Sequence, residues 1–375
     1  MPMKAELSSL DLHFLVQELK SLINGKIDQI YQSGKDELVL QTHSASLGKK
    51  ILRILPGGLV YLASTKPETP IRPPGFCTYL RKYLKNARIR EVKQIDFERV
   101  LEFVVETKEQ KYRIIIELFN KGNIIICSEE YIIFSALNQK VWTDRVSETK
   151  TYVYPSREIN ILECDLDEFS KVLLNSDKEN IVKSLAMDLG FGGIYAEEIC
   201  EIAKIDKTLT PKNSSREILE ALFDAISILL AKPSEPVLIN GSDLYPIKLE
   251  SINAKEVISF SSFNALLDSV FTIKQLEAKH ENIDKTATKQ LSKIEVMIDE
   301  QKKRIIGLEK SSAENQKKGE AVFENYSQIS TLLENLNILF KEKSFKEFNK
   351  LIKDFDYISS FDQKTKEVVI LLKDK

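Results

Sequence analysis

The 375-residue sequence predicts an α+β protein made of a mixed antiparallel-strand domain, a small helical unit and a coiled-coil arm. Three patterns carry that expectation. Short β-branched runs separated by polar turns fill most of the first 160 positions. After Leu166, glycines and prolines cut a helical stretch into pieces. From about Phe263 onward, dense charge accompanies apolar residues at heptad steps. An apolar content of 43% is enough to bury real cores, and the length fits two or three domains.

A first helix is expected from about Ser8 to Ile23, because Leu12, Leu15, Val16, Leu19, Leu22 and Ile23 recur at helical spacing before the stop signal Asn24-Gly25. Ser8 suits the N-cap. Asp11, three residues on, completes a capping box, which gives its carboxylate a structural role of its own. Strands are expected over Ile27–Tyr31, Glu37–Thr42, Lys50–Leu55 and Leu59–Ala63. The proline-rich approach Pro67–Pro74 blocks ladder formation and leads into a second helix over Gly75–Ala87. Five more strands follow at Ile89–Ile95, Val100–Glu106, Tyr112–Leu118, Asn123–Cys127 and Ile132–Leu137. Asn120-Lys121-Gly122-Asn123 is the clearest hairpin turn among them. Glu98-Arg99 opens one of these strands and reads as a surface ion pair of about 0 to 1 kcal/mol.

Residues 1–165 therefore read as one domain, and the short helices of 166–234, closed by Pro233 and Pro236, as a second. A connecting segment over 235–270 is expected to pack back on the core, with apolar alternation over Val237–Leu249. The remainder, 271–375, reads as a coiled-coil arm and the start of a middle domain. Leu291, Ile294, Ile298, Ile305 and Leu308 sit at heptad steps, and Val322, Tyr326, Ile329, Leu333, Leu336 and Phe340 alternate four and three without a miss. Leaving such groups in water forfeits roughly 1.5 to 3 kcal/mol each, so the seam calls for a partner helix. Folding back, self-association or a longer natural protein would each supply one. The apolar run Val368–Leu372 near the end points to the last.

Charge and motifs narrow the function classes. Lys plus Arg number 54 against 56 Asp plus Glu, so any surface for a polyanion is local. One such segment is Arg72 to Lys93, where Arg72, Arg81, Lys82, Lys85, Arg88, Arg90 and Lys93 face the single acid Glu91, with Phe76, Tyr79 and Tyr83 interleaved. On a helix, Arg81, Lys82 and Lys85 share one side and Phe76, Leu80 and Leu84 the other, an arrangement that fits either an RNA backbone or a solvated face. The turn Leu189-Gly190-Phe191-Gly192-Gly193-Ile194 lies between two apolar helical stretches. It reads either as a helix-hairpin-helix element cradling a phosphate on its amides or as a plain helix–helix turn.

Cys77, Cys127, Cys164 and Cys200 lie far apart, and His13, His43 and His280 are too few to build a zinc site with them. No cofactor or metal is expected, and neither a secretory segment nor a membrane span is recognisable, which places the protein in a reducing cytoplasm. Pro2 could serve as a secondary-amine nucleophile of the DNA-glycosylase type, but Met3 follows it where a proton-shuttling acid is needed. An exported adhesin would require a signal peptide.

Five ordered segments resemble the NFACT N-terminal domain: Leu7-Ser8-Ser9-Leu10-Asp11-Leu12, Gly25 to Tyr31, Phe76-Cys77 with Arg81 to Leu84, Asp96 to Val100, and Glu117 to Asn123. Leu189 to Cys200 resembles the family's helix-hairpin-helix element, and Lys318 to Tyr326 the end of its first long coiled-coil helix. The family is the RqcH/NEMF group of ribosome quality-control proteins, to which the N-terminal domain of bacterial fibronectin-binding protein A also belongs. The resemblance implies an α+β, Fpg/Nei-like N-terminal domain, a helix-hairpin-helix domain and a coiled-coil arm. It implies a non-enzymatic factor that binds the large ribosomal subunit obstructed by peptidyl-tRNA and recruits tRNA for mRNA-independent tailing of the stalled chain. By the same resemblance Asp11, Glu98 and Arg99 orient tRNA, the Glu98-Arg99 pair standing where the family has Asp-Arg. Arg81, Lys82, Lys85 and Arg88, with the backbone of Gly190, Gly192 and Gly193, would contact RNA phosphates.

Overall fold

In the computed structural model, residues 6–44, 48–138, 151–155, 157–253, 256–342, 358–362, 365 and 367–371 are described, with backbone alone at 273–290, 340, 342 and 361. Pro2 lies outside them. The chain divides into two compact units, Met1–Ala278 and Lys279–Lys375.

The first unit opens with α1 (Ser9–Leu19), whose Ser8–Asp11 capping box forms: the Asp11 N–H donates to Ser8 Oγ and the Ser8 N–H to the Asp11 carboxylate. Its last turn tightens into a 3-10 turn over Lys20–Leu22, and Asn24, at φ 68°, carries the chain away. Four strands follow, β1 (Lys26–Ser33), β2 (Glu37–Ser44), β3 (Gly48–Leu55) and β4 (Leu59–Ala63), then α2 (Gly75–Leu84). Five more complete the sheet: β5 (Arg88–Gln94), β6 (Val100–Glu106), β7 (Lys111–Glu117), β8 (Asn123–Cys127) and β9 (Ile133–Ala136). The nine strands order β4-β3-β2-β1-β5-β6-β7-β8-β9. Two antiparallel meanders thus meet where β1 pairs with β5. That meeting ends α2 three residues before the expected Ala87. Asn86 donates to Ile27 O and Ile27 to Ala87 O, both at 2.8 Å, so strand pairing takes the residues the helix would have used.

Period-two alternation then sorts the side chains between two faces. Ile114, Ile116, Ile124 and Ile126 pack beneath α1, α2 and the first turns of α7 (Phe263–Glu324). Ile115 and Ile125 face the other way, against Tyr152 and Tyr154 of the segment 151–155. The hairpin between β7 and β8 closes through Gly122, at φ 62°, where an added Cβ would sit 1.8 Å from the Gly57 nitrogen; only glycine fits. The first residues of α7 are tied down by polar groups. Glu18 accepts from the Phe263 N–H (2.6 Å) and the Asn264 N–H (2.9 Å), and Asn264 Oδ1 accepts from Leu62 N–H at 2.7 Å.

Four helices build the rest of the first unit: α3 (Leu166–Asn175), α4 (Ile181–Met187), α5 (Gly193–Ala203) and α6 (Arg216–Ala231). A small sheet, ordered β11-β10-β12, adds β10 (Val237–Ile239), β11 (Asp243–Tyr245) and β12 (Val257–Ser259). Their shared core holds Phe169, Leu173, Ile181, Leu185, Phe191, Leu222 and Leu229, and it also takes in Leu10 and Phe14 of α1 and Phe97.

In the second unit, the heptad stripe differs from expectation. Helix α7 ends at Glu324 and α8 (Tyr326–Glu342) begins after Asn325, so the stripe from Val322 is broken. The side chains of α8 that turn inward are Leu332, Leu336 and Leu339, packed with Ile358 and Val368 of the hairpin β13 (Ile358–Asp362) and β14 (Glu367–Ile370). That hairpin takes the place of a partner helix and keeps Leu336 of the predicted stripe, but it packs Leu332 and Leu339 beside it and leaves Leu333 exposed. Leu291 and Leu308, 60% and 62% exposed, have no such cover among the described residues.

His13 ties α1 to the end of α6, its Nε2 lying 3.3 Å from Leu230 O. Burial, reinforced by Lys20, lowers its pKa from the ordinary 6.5. Because the unfolded chain then binds the extra proton, stability should fall as pH drops from about 7 toward 5. Urea midpoints at the two pH values should converge in His13→Gln relative to the wild type. An identical acid loss in both proteins would remove His13 as the cause.

Candidate functional site

Asp11 is completely buried. Its Oδ2 accepts from Ser8 N–H (2.7 Å) and Ser8 Oγ (2.8 Å), and its Oδ1 accepts from the Tyr195 hydroxyl at 2.5 Å. Burial, then the adjacent Asp11 charge, raises the Tyr195 pKa well above the ordinary value, which keeps this hydroxyl a donor. One carboxylate therefore caps α1 and holds α5.

The turn from β5 to β6 stands beside it. Asp96 and Phe97 both adopt left-handed backbone, at φ 45° and 58°, each at a cost of about 1 to 2 kcal/mol for a residue with a Cβ. What they gain is the placement of Phe97, 1% exposed, with its ring centroid 4.9 Å from that of Phe191. Gln94 braces the turn against α1, donating to Ser9 O (2.8 Å) and Glu98 O (3.0 Å).

Opposite this turn lie the glycines between α4 and α5. Phe191 and Gly192 turn their N–H groups back to Leu185 O (3.3 Å) and Ala186 O (3.1 Å), so the Gly192 amide is spent inside the turn. Gly192 is the N-cap of α5 and supplies no side-chain acceptor, leaving the first amides of that helix, starting at the exposed Gly193, open. Gly190 lies against an arginine. A Cβ there would meet Cζ and Nη1 of Arg157 at 2.4 Å.

Arg157 is the residue that sequence reasoning missed. Its guanidinium engages both Glu98 oxygens, Nε with Oε1 and Nη2 with Oε2 (3.4 Å), while Nη1 donates to Met187 O at 3.0 Å. The expected Glu98–Arg99 pair is accordingly not formed. Arg99 instead pairs through Nη2 with Glu6 at 2.7 Å, because the left-handed turn sends the two neighbouring side chains to different partners. The Arg99 Nε is buried without a partner among the described residues. A signal for Arg157 did exist in the alternation Tyr152-Val153-Tyr154, with Val153 exposed. Tyr152 donates to Glu117 (2.9 Å) and Tyr154 to Glu102, so this segment is pinned to the sheet just before it delivers Arg157 to Glu98.

The basic residues form a separate set. Arg81 donates Nε to Ile30 O (2.7 Å) and lies over the Tyr31 ring, and Arg88 donates Nη1 to Asn24 O (2.9 Å). Lys82 and Lys85 are exposed; Lys85 follows the helix instead of belonging to it. Arg88 opens β5 and the Glu98 turn follows its other end, so the two sets lie roughly 20 Å apart along the strand. Among the described residues no group of His, Cys, Asp and Glu could hold a metal ion, and no helix is long and apolar enough to cross a membrane.

The fold and this junction define a mixed α+β scaffold in which a large antiparallel sheet is clamped to a glycine-turn helix pair. A similar fold occurs in the N-terminal part of the fibronectin/fibrinogen-binding protein from Streptococcus suis, with TM-score 0.57 and 24% identity over 71% of this chain and 99% of that one. The chain belongs to the NFACT family, whose N-terminal and middle domains match residues 8–357. Its relatives include the archaeal Rqc2 homolog aRqcH of Methanocaldococcus jannaschii, 29% identical over 99% of this chain. The human ribosome quality control complex subunit NEMF is 22% identical over 88% of it. The chain spans 59% and 34% of the lengths of these two relatives.

Tyr195→Phe leaves the buried Asp11 Oδ1 without this donor. The unfolding free energy from urea titration should fall by about 1 to 3 kcal/mol. An unchanged midpoint would show that the contact is dispensable.

Proposed function

We propose that this chain is a ribosome quality-control factor that binds the large ribosomal subunit obstructed by peptidyl-tRNA and recruits aminoacyl-tRNA for mRNA-independent tailing of the stalled chain. The observation that carries the reading is the convergence of the Arg99 turn and the glycine turn that opens α5, joined by the Phe97–Phe191 ring contact and by Arg157 between Glu98 and Met187 O. Membership of the NFACT family and relatives named for ribosome quality control support it.

In this reading Arg99 contacts tRNA directly. Its side chain is 25% exposed, and its partner Glu6, 56% exposed, is a counter-ion that a phosphate can displace. Asp11 and Glu98 have their carboxylates inside the protein, so they orient tRNA by fixing the two turns without touching it. The amide of Gly193 offers a phosphate contact, with Gly190 and Gly192 shaping the approach. Arg81, Lys82, Lys85 and Arg88 hold RNA backbone at the far end of β5. Peptide-bond chemistry belongs to the ribosome.

Cosedimentation with large subunits carrying peptidyl-tRNA, against vacant subunits and across a salt series, tests the reading. Preference for the obstructed subunit should be lost in Arg99→Ala. Lys82→Ala should weaken binding and lower the salt slope by about one unit. Equal binding to both subunits, or none at physiological salt, would overturn the proposal.

A further inference from the structure

We infer that Arg157 is a positioning residue for RNA binding, a latch that holds the glycine turn in register with the Arg99 turn. The inference rests on the RNA reading above, and its structural half stands apart from it. Three features meet at the one guanidinium. It takes the Glu98 carboxylate with two nitrogens, it donates a third N–H to the last residue of α4 at Met187 O, and its plane lies over Gly190 Cα, where even a methyl group would collide with it. No other described ion pair joins the β5–β6 turn to the α4–α5 turn.

The geometry is specific to arginine. Lysine carries one nitrogen and can satisfy Glu98 or Met187 O, but it lacks the planar fork that reaches both. Glycine at 190 is required twice over, by φ 80° and by the guanidinium that covers it. Glu98, 12% exposed, and Arg157, 27% exposed, are sheltered enough that losing either strands the other. The segment carrying Arg157 has little freedom to let go, since Tyr152 and Tyr154 are anchored on Glu117 and Glu102 of the sheet. Phe97 stacked on Phe191 sets the distance between the turns; Arg157 sets their register.

The experiment uses the full chain, unfractionated tRNA as the probe, a salt series for affinity, and amide hydrogen exchange of Leu189–Ile194 without RNA. Arg157→Met should speed exchange in that segment and weaken tRNA binding roughly tenfold through lost preorganisation, with the salt slope unchanged. Arg157→Lys should show the same changes at smaller size, and it serves in place of Arg157→Met should that variant not fold. Glu98→Gln, which takes away the charged fork that holds the Arg157 guanidinium, should reproduce both changes. A salt slope lower by about one unit in Arg157→Met would make Arg157 a phosphate contact and overturn the assignment. Weaker binding in Glu98→Gln with exchange unchanged would overturn it too, by making Glu98 itself an RNA contact. If the wild type binds no tRNA, the RNA reading fails, and exchange alone then supports or overturns the latch.

Discussion

An ionised carboxylate removed from water must be given donors, or its burial costs several kcal/mol. This chain places such groups at several of its long-range joins. Asp11 holds Tyr195, Glu98 holds Arg157, Glu102 holds Tyr154, and Glu117 holds Tyr152. Glu18 caps the start of α7, and Glu198, fully buried, accepts from the Glu250 and Ser251 amides as well as from Lys232. In each case the donor comes from a segment remote in sequence. Apolar contacts define which surfaces meet, and the carboxylates fix where along those surfaces they stop sliding.

The candidate site inherits this arrangement. Its two acidic members are interior groups whose donors arrive from α5 and from the segment after 151, while its cationic member, Arg99, reaches the surface. Division of labour follows from charge. Under the proposed RNA reading, a carboxylate on the surface would repel phosphate, whereas one held inside the protein shapes the arginine-bearing turn without presenting its oxygens to the ligand.

Local chemistry was legible in the sequence wherever it depends on near neighbours. The Ser8–Asp11 capping box, the strands over β1 to β9 and the Gly122 turn all follow from short-range pattern. Long-range competition was not visible. Strand pairing at Asn86 and Ala87 shortened α2, and the hairpin of β13 and β14 chose Leu332 and Leu339 to flank Leu336 in place of Leu333 of the heptad stripe. The partner of Glu98 lies 59 positions away on a segment without regular structure, where only the tyrosine alternation hints that the chain is held down. Glu98 and Arg99 are adjacent in sequence, which invites pairing them, yet two left-handed residues before them decide otherwise.

The helical core that receives Leu10, Phe14 and Phe97 is incomplete without them. Cut at the boundary between sheet and helices, each piece would show the other's apolar surface to water, and neither half of the Asp11–Tyr195 contact would survive. The two parts are therefore not interchangeable modules. A hybrid that takes the sheet from one sequence and the helices from another joins surfaces that were not shaped for each other, and the Phe97–Phe191 contact is where the mismatch falls first.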